Sequence, residues 1–125
     1  MKLVDTTVAV DHLRGTPEAT DLLASAIADG ETLVASEITR FELLAGVRKA
    51  ELPALEAFFS SLVWAPIDEE ISRIAGMLAQ KLRRSHSGID DADYLIAATA
   101  MVLAAELLTT NMRHFPMISG LRAPY

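Results

Sequence analysis

The chain has no cysteine, which excludes a disulfide scaffold and thiolate chemistry. No apolar stretch reaches the roughly 18 residues that a membrane span needs. The segment AATAMVLAAELL comes nearest, and Glu106 breaks it. A basic start, an apolar stretch and a small-residue cleavage site do not occur in succession, so no secretory signal is expected. These absences together place the expected location in the cytoplasm. Positive charge is also short: 11 Lys and Arg against 17 Asp and Glu leave a formal net charge of −6. That balance does not suit a nucleic-acid partner, which ordinarily selects a basic surface. Either no such partner exists, or part of the negative charge is gathered in a pocket and neutralised there by a cation. No GxGxxG follows any apolar run, which argues against dinucleotide binding. No repeat, low-complexity tract or linker is present.

What is there fits one domain, residues 1–125, built around one core. The composition is 51% hydrophobic and 22% charged, the balance of a globular domain and not of a disordered chain. Short apolar runs alternate with amphipathic segments. Leu3 and Val4 read as a buried strand ending near Asp5. Thr6 to Leu13 reads as a helix stopped by Gly15. Thr16 followed by Pro17 opens a second helix, which ends at Asp29-Gly30. Thr32 to Ala35 is the next expected strand, and Ser36 caps a helix to about Lys49. Pro53 opens a short helix through Phe59. Leu62 to Ile67 reads as a strand that Pro66 assigns to an edge or an end. Asp68, Glu69 and Glu70 suit the start of the helix EEISRIAGMLAQKLRR. Another helix runs from about Asp91 to Ala105, then a strand from Leu107 to Thr109. A fifth short strand is expected near Met117 and Ile118. Strands alternating with helices indicate an α/β domain with a mostly parallel sheet of four or five strands. Runs such as LVASE and ELLTT lack alternation, as expected of parallel strands covered on both faces.

Four polar residues stand where folding alone does not ask for them. Asp5 closes the first apolar run, and it also suits a helix N-cap. Glu42 lies only about 40° round the helix from Ile38 at 100° per residue, at the margin of the buried stripe. Its structural alternative is a pair with Arg40 or Arg48. Asp93 opens the most apolar helix, DYLIAATAMVLAA; an acid in a first turn is ordinary helix chemistry. Asp90 and Asp91 are its rivals, although Asp90 is free to stay in solvent. Asn111 follows the last strand, where Asn is common turn chemistry. In open parallel sheets, ligands bind beyond the carboxyl ends of the strands, and Asp5 and Asn111 sit at two such ends. Three carboxylates, an amide and neighbouring hydroxyls form an all-oxygen set, which suits Mg²⁺ or Mn²⁺ better than Zn²⁺. Basic residues cluster at Lys81, Arg83, Arg84 and His86, and again at Arg113 and His114.

The pieces LVDTTV, ITRFELLAG, DADYLIAATA and LLTTNMRHF occur in this order across almost the whole chain. In these the chain resembles PIN-domain ribonucleases, specifically the VapC toxins of toxin–antitoxin pairs. The resemblance implies an α/β/α sandwich with Asp5, Glu42 and Asp93 as ligands of an acidic Mg²⁺ site, where Mn²⁺ substitutes. Asn111 takes the fourth position, which in the family is often Asp, so one negative charge is missing and a second metal ion is in doubt. Thr6 matches the hydroxyl that follows the first Asp. The implied reaction is endonucleolytic RNA cleavage by metal-activated water, with Thr6 and Asn111 positioning water or phosphate. Arg83, Arg84 and Arg113 are candidate contacts to the RNA backbone. The resemblance also implies a homodimer and a cognate VapB-like antitoxin.

A catalytically inactive PIN-like binding module is the main alternative. A receiver-type signalling domain shares the length and the strand-end acid. It needs an acid pair at the first strand end and a lysine after a late strand; only Asp5 is present, and no lysine follows Lys81. A haloacid-dehalogenase-type phosphatase needs an Asp where Thr7 stands.

Overall fold

A computed structural model describes residues 1–125. Four strands form one parallel sheet: β1 (Lys2–Val4), β2 (Leu33–Ser36), β3 (Val63–Ala65) and β4 (Glu106–Leu108), in the order β3-β2-β1-β4. Register aligns Leu3 with Val34 and with Leu107, and Val4 with Leu108. All four carboxyl ends therefore open on one edge of the sheet. Six α-helices connect and cover the strands: α1 (Thr6–Leu13), α2 (Pro17–Ala28), α3 (Glu37–Gly46), α4 (Leu52–Phe59), α5 (Glu69–Leu82) and α6 (Asp91–Leu103). Two single 3₁₀ turns, Lys49–Glu51 and Met112–His114, complete the fold.

The alternation of strand side chains builds three layers. Val4, Leu33, Ala35 and Leu108 face α1, α2 and α4, where they join Val8, Leu23, Leu55 and Phe59. Leu3, Val34 and Leu107 face the other way and pack on Ile96, Ala97 and Ala100 of α6. The small residues of α6 let its backbone lie close against the sheet. On its far side Tyr94 and Ala98 pack on Ile71 and Ala75 of α5. No helix is long and apolar enough to cross a membrane.

Local chemistry explains most boundaries. Ser36 Oγ accepts from Ile38 N and starts α3; Asp68 accepts from Ile71 N and starts α5. Gly15 takes φ +85° after α1, a conformation an L side chain resists. Two expectations fail. The helix expected to reach Lys49 ends at Gly46, because Val47 adopts extended backbone and the 3₁₀ turn takes over. No fifth strand forms near Met117 and Ile118. Ile118 N bonds back to Phe115 O across a turn, and Met117 and Ile118 serve as apolar cover for the α6 face. β3 is an edge strand, as Pro66 required.

Candidate active site

Asp5 directly follows β1, and its backbone N donates to Leu108 O of β4. It stands at the N-cap of α1, yet its side chain makes no capping bond. Instead Oδ2 accepts from Thr7 Oγ1 at 2.9 Å and from Thr109 Oγ1 at 2.7 Å. Asp5 is 3% exposed. Such burial of an acid without a backbone cap is not explained by helix chemistry.

Glu42 comes from the middle of α3. It pairs with neither Arg40 nor Arg48: Arg40 is held by Glu37 at 2.6 Å and stacks 3.8 Å above the Trp64 ring. Glu42 Oε1 accepts from Thr6 Oγ1 at 2.7 Å. Loss of solvent raises the Glu42 pKa, and the charges of Asp5 and Asp90 raise it further while the Thr6 bond lowers it. The like-charge effects place Glu42 in electrostatic reach of both acids.

Asp93 comes from the first turn of α6. The sequence alternative for it is real: Asp90 and Asp93 form a reciprocal capping box, with Asp93 N donating to Asp90 Oδ1 at 3.1 Å and Asp90 N to Asp93 Oδ2 at 3.2 Å. That box does not exhaust Asp93. Its side chain is 11% exposed, and desolvation raises its pKa to about 6, against the Asp90 backbone N–H and His114, which lower it, and with the Asp90 charge, which raises it. Asp90 is exposed, as expected, but its charge acts on both Glu42 and Asp93. Asp91 is bound to Arg83 at 2.8 Å.

Asn111 makes no side-chain capping bond on the turn it precedes. Its backbone N donates to Thr109 Oγ1 at 3.0 Å, and its amide meets His114 Nδ1 at 2.8 Å. The same Nδ1 lies 2.8 Å from Asp93 Oδ2. His114 is the residue the sequence reading missed, since it was counted only within a basic cluster. Its spacing of three from Asn111, one turn on, was the available signal. Hydrogen bonds thus run from Asp5 through Thr109, Asn111 and His114 to Asp93. Of the basic candidates, Arg83 is engaged with Asp91 and lies 5.8 Å from the Tyr94 ring centre. Arg84 and Arg113 are exposed.

One pattern recurs at the three acids. Each has one oxygen held by protein donors: Asp5 Oδ2, Glu42 Oε1 and Asp93 Oδ2. The second oxygen of each has no protein donor. Yet the only sealed side-chain polar atom without a partner anywhere is the Tyr94 hydroxyl. Asp5 Oδ1, Glu42 Oε2 and Asp93 Oδ1 are therefore open to solvent or a ligand. Oriented carboxylates with one open oxygen apiece fit a hard divalent cation. No three acidic or histidine side chains stand ready as a closed cage for one ion. Mg²⁺ does not require one, since it is held by one or two carboxylates and keeps waters.

Comparison with known proteins identifies the family. Residues 2–120 match the PIN domain family. Over its full 125 residues the chain is 65% identical to Ribonuclease VapC19 of Mycobacterium tuberculosis, covering 100% of that protein. It is 43% identical to Ribonuclease VapC10 of the same organism, covering 93% of it. The backbone matches a chain in a toxin–antitoxin complex from Klebsiella pneumoniae with a TM-score of 0.82 at 26% identity, covering 100% of this chain and 98% of that one.

Proposed function

The chain belongs to the PIN-domain family of VapC ribonucleases, and from that premise we propose that it is the toxin of a toxin–antitoxin pair, an endoribonuclease that uses a divalent cation at Asp5, Glu42 and Asp93. The observation that carries this reading is the set of three open carboxylate oxygens beside three oxygens already held by protein donors. A bound Mg²⁺ or Mn²⁺ supplies Lewis-acid stabilisation of phosphate charge and makes water nucleophilic near neutral pH.

The chain's own residues do the rest. Thr7 and Thr109 fix Asp5 so that Oδ1 faces outward. His114 and the Asp90 backbone fix Asp93 in the same way. Both would hold the cation. Glu42, whose pKa is raised by burial, would orient the attacking water and take its proton. Thr6 holds Glu42 in place through Oε1. Asn111 and Arg113 follow β4 and meet the phosphate backbone, with Arg84 and Arg83 at the far end of α5 as further contacts. A divalent cation among the carboxylates reduces, at the site itself, the repulsion that a chain of net charge −6 offers to RNA.

The same reading carries a VapB-like antitoxin. A groove of about 480 Å³ between α1, α3 and α4 is lined by Val10, Leu43, Val47 and Leu55, with Arg14 beside it, and runs to Glu42. An extended or helical antitoxin segment seated there reaches Glu42. The family also carries a homodimer, for which the exposed Phe41 and Leu44 of α3 offer apolar surface.

The test is RNA cleavage by purified, antitoxin-free protein in Mg²⁺, in Mn²⁺ and in excess EDTA. Cleavage with either ion and none in EDTA is expected. Undiminished cleavage in EDTA overturns the metal-dependent mechanism. Absence of cleavage under all conditions, across a panel of cellular RNAs, favours the inactive binding module.

A further inference from the structure

His114 Nδ1 has two neighbours at the same distance, Asp93 Oδ2 and the Asn111 side-chain nitrogen, each 2.8 Å away. One ring nitrogen cannot satisfy both as they are placed. Toward an ionised carboxylate, which has only acceptor lone pairs, Nδ1 has to carry hydrogen. Toward an amide NH₂ it has to present a lone pair. A half-turn of the Asn111 amide removes the conflict, because it exchanges nitrogen for oxygen at the same point. The Nδ1 hydrogen then points at two acceptors, Asp93 Oδ2 and Asn111 Oδ1.

The surroundings favour this solution. Asp93 Oδ2 already accepts from the Asp90 backbone, so it is an acceptor in any case. The turn bearing His114 is fixed by His114 N bonding to Asn111 O at 3.1 Å and by Phe115, which is 1% exposed. The turn therefore holds the His114 backbone beside Asp93. The other branch of the Asn111 amide has no protein partner and is not sealed, since the Tyr94 hydroxyl is the only sealed orphan.

We propose that His114 is a positioning residue that locks the Asn111 amide with its oxygen toward the ring and its NH₂ outward, so that Asn111 is a hydrogen-bond donor to a phosphodiester oxygen of RNA and not a metal ligand. This rests on the ribonuclease reading for the identity of the anion, but not for the state of the ring. It gives the Asn at this corner a positive task. An Asp here presents only lone pairs and repels phosphate, whereas an NH₂ donates two hydrogens to it.

Three measurements test it on the full-length protein. Two-bond ¹H–¹⁵N NMR of the metal-free protein at pH 7.5 reads which nitrogen of His114 carries hydrogen. A protonated Nδ1 is expected; a lone-pair Nδ1 with hydrogen only on Nε2 overturns the proposal, whether or not the protein cleaves RNA. Asn111→Asp is then compared with the natural chain in two assays. If Asn111 is a donor, KM for RNA rises about tenfold or more, in line with loss of a hydrogen bond to a charged group, while Mn²⁺ affinity in the absence of RNA stays within about twofold. If the Asp variant binds Mn²⁺ much more tightly and cleaves faster, position 111 is a metal-ligand corner and the proposal is wrong. His114→Ala and His114→Gln give the third readout. His114→Ala releases the amide and raises KM, and His114→Gln, whose amide NH₂ replaces the donor, recovers part of the loss. Equal KM in His114→Ala and the natural protein contradicts a positioning role. Failure of the natural protein to cleave any RNA removes the function proposed above, and the NMR result still stands on its own.

Discussion

Asp93 Oδ2 closes the capping box of α6 while Oδ1 stays open, so one carboxylate serves both the helix and the site. That double use has a measurable cost. The folded pKa, about 6, stands above the ordinary value of 3.8. Between those pH values the folded protein binds a proton that the unfolded chain has released. The penalty for ionising Asp93 is therefore absent below about pH 4 and complete above about pH 6. For metal-free protein, Asp93→Asn is expected to raise stability at pH 7 by up to roughly 3 kcal/mol, at 1.36 kcal/mol per pH unit. The amide oxygen still accepts from Asp90 N, so the box survives. Denaturant melts at pH 7 and pH 4 check this: the gain at pH 7 shrinks to near zero at pH 4. A loss of stability at pH 7 shows that Asp93 is there for the fold. At this scale the sequence was informative about the acids because an apolar run makes a carboxylate conspicuous. It did not link Thr109 to Asp5, 104 residues away, or His114 to Asp93, 21 residues away. The first contact comes from the register of β1 against β4 and the second from the packing of Phe115 on α6, which no local pattern encodes.

Elements are where sequence reading and structure agree most closely, and the disagreements have physical causes. Turn and cap residues announced α1, α2, α5 and α6 to within one or two residues. The missing fifth strand shows the limit. Met117 and Ile118 are apolar because they cover the core between the sheet and α6, and a short apolar run looks the same whether it pairs or only packs. The far end of α6 supports a prediction. Ala104 closes the helix at φ +50°, where a Cβ costs roughly 1–2 kcal/mol. Ala104→Gly is expected to raise the melting temperature by several degrees without altering RNA cleavage, because the position is distant from the α6 start that bears Asp93. A lowered melting temperature means that the αL cap is not strained. At the opposite end, Asp90→Asn retains a good N-cap and removes one charge felt by Glu42 and Asp93. It is expected to keep most of the cleavage activity, and an activity as low as that of Asp93→Asn assigns Asp90 to the metal set.

For the whole molecule, the topology explains how acids scattered along the chain come to one end of the sheet. In the order β3-β2-β1-β4, β1 and β4 are neighbours, which brings Asp5 beside Thr109 and Asn111. The helix after β2 supplies Glu42, and the one before β4 supplies Asp93. These acids add negative charge at one end of the sheet in a protein already at −6, and a guanidinium is a natural competitor of a cation there. Under the antitoxin reading, an inhibitory segment with an Arg at the acids is expected to bind more weakly as Mg²⁺ rises, beyond the effect of Na⁺ at matched ionic strength. Titration calorimetry in the two salts measures the difference. Equal affinities in both mean that inhibition does not act through the carboxylates.

The central claim is that the open oxygens of Asp5 and Asp93 hold the divalent cation that RNA cleavage requires, with Glu42 acting on its water. It is tested most directly by titrating Mn²⁺ into the natural protein, Asp5→Asn and Asp93→Asn, following free Mn²⁺ by electron paramagnetic resonance, and assaying RNA cleavage on the same samples. The account predicts that the natural protein binds Mn²⁺ and cleaves. Each variant is expected to lose at least tenfold in Mn²⁺ affinity, and about a hundredfold or more in cleavage, while its circular dichroism stays native. Variants that keep both Mn²⁺ affinity and cleavage at the natural level would contradict it.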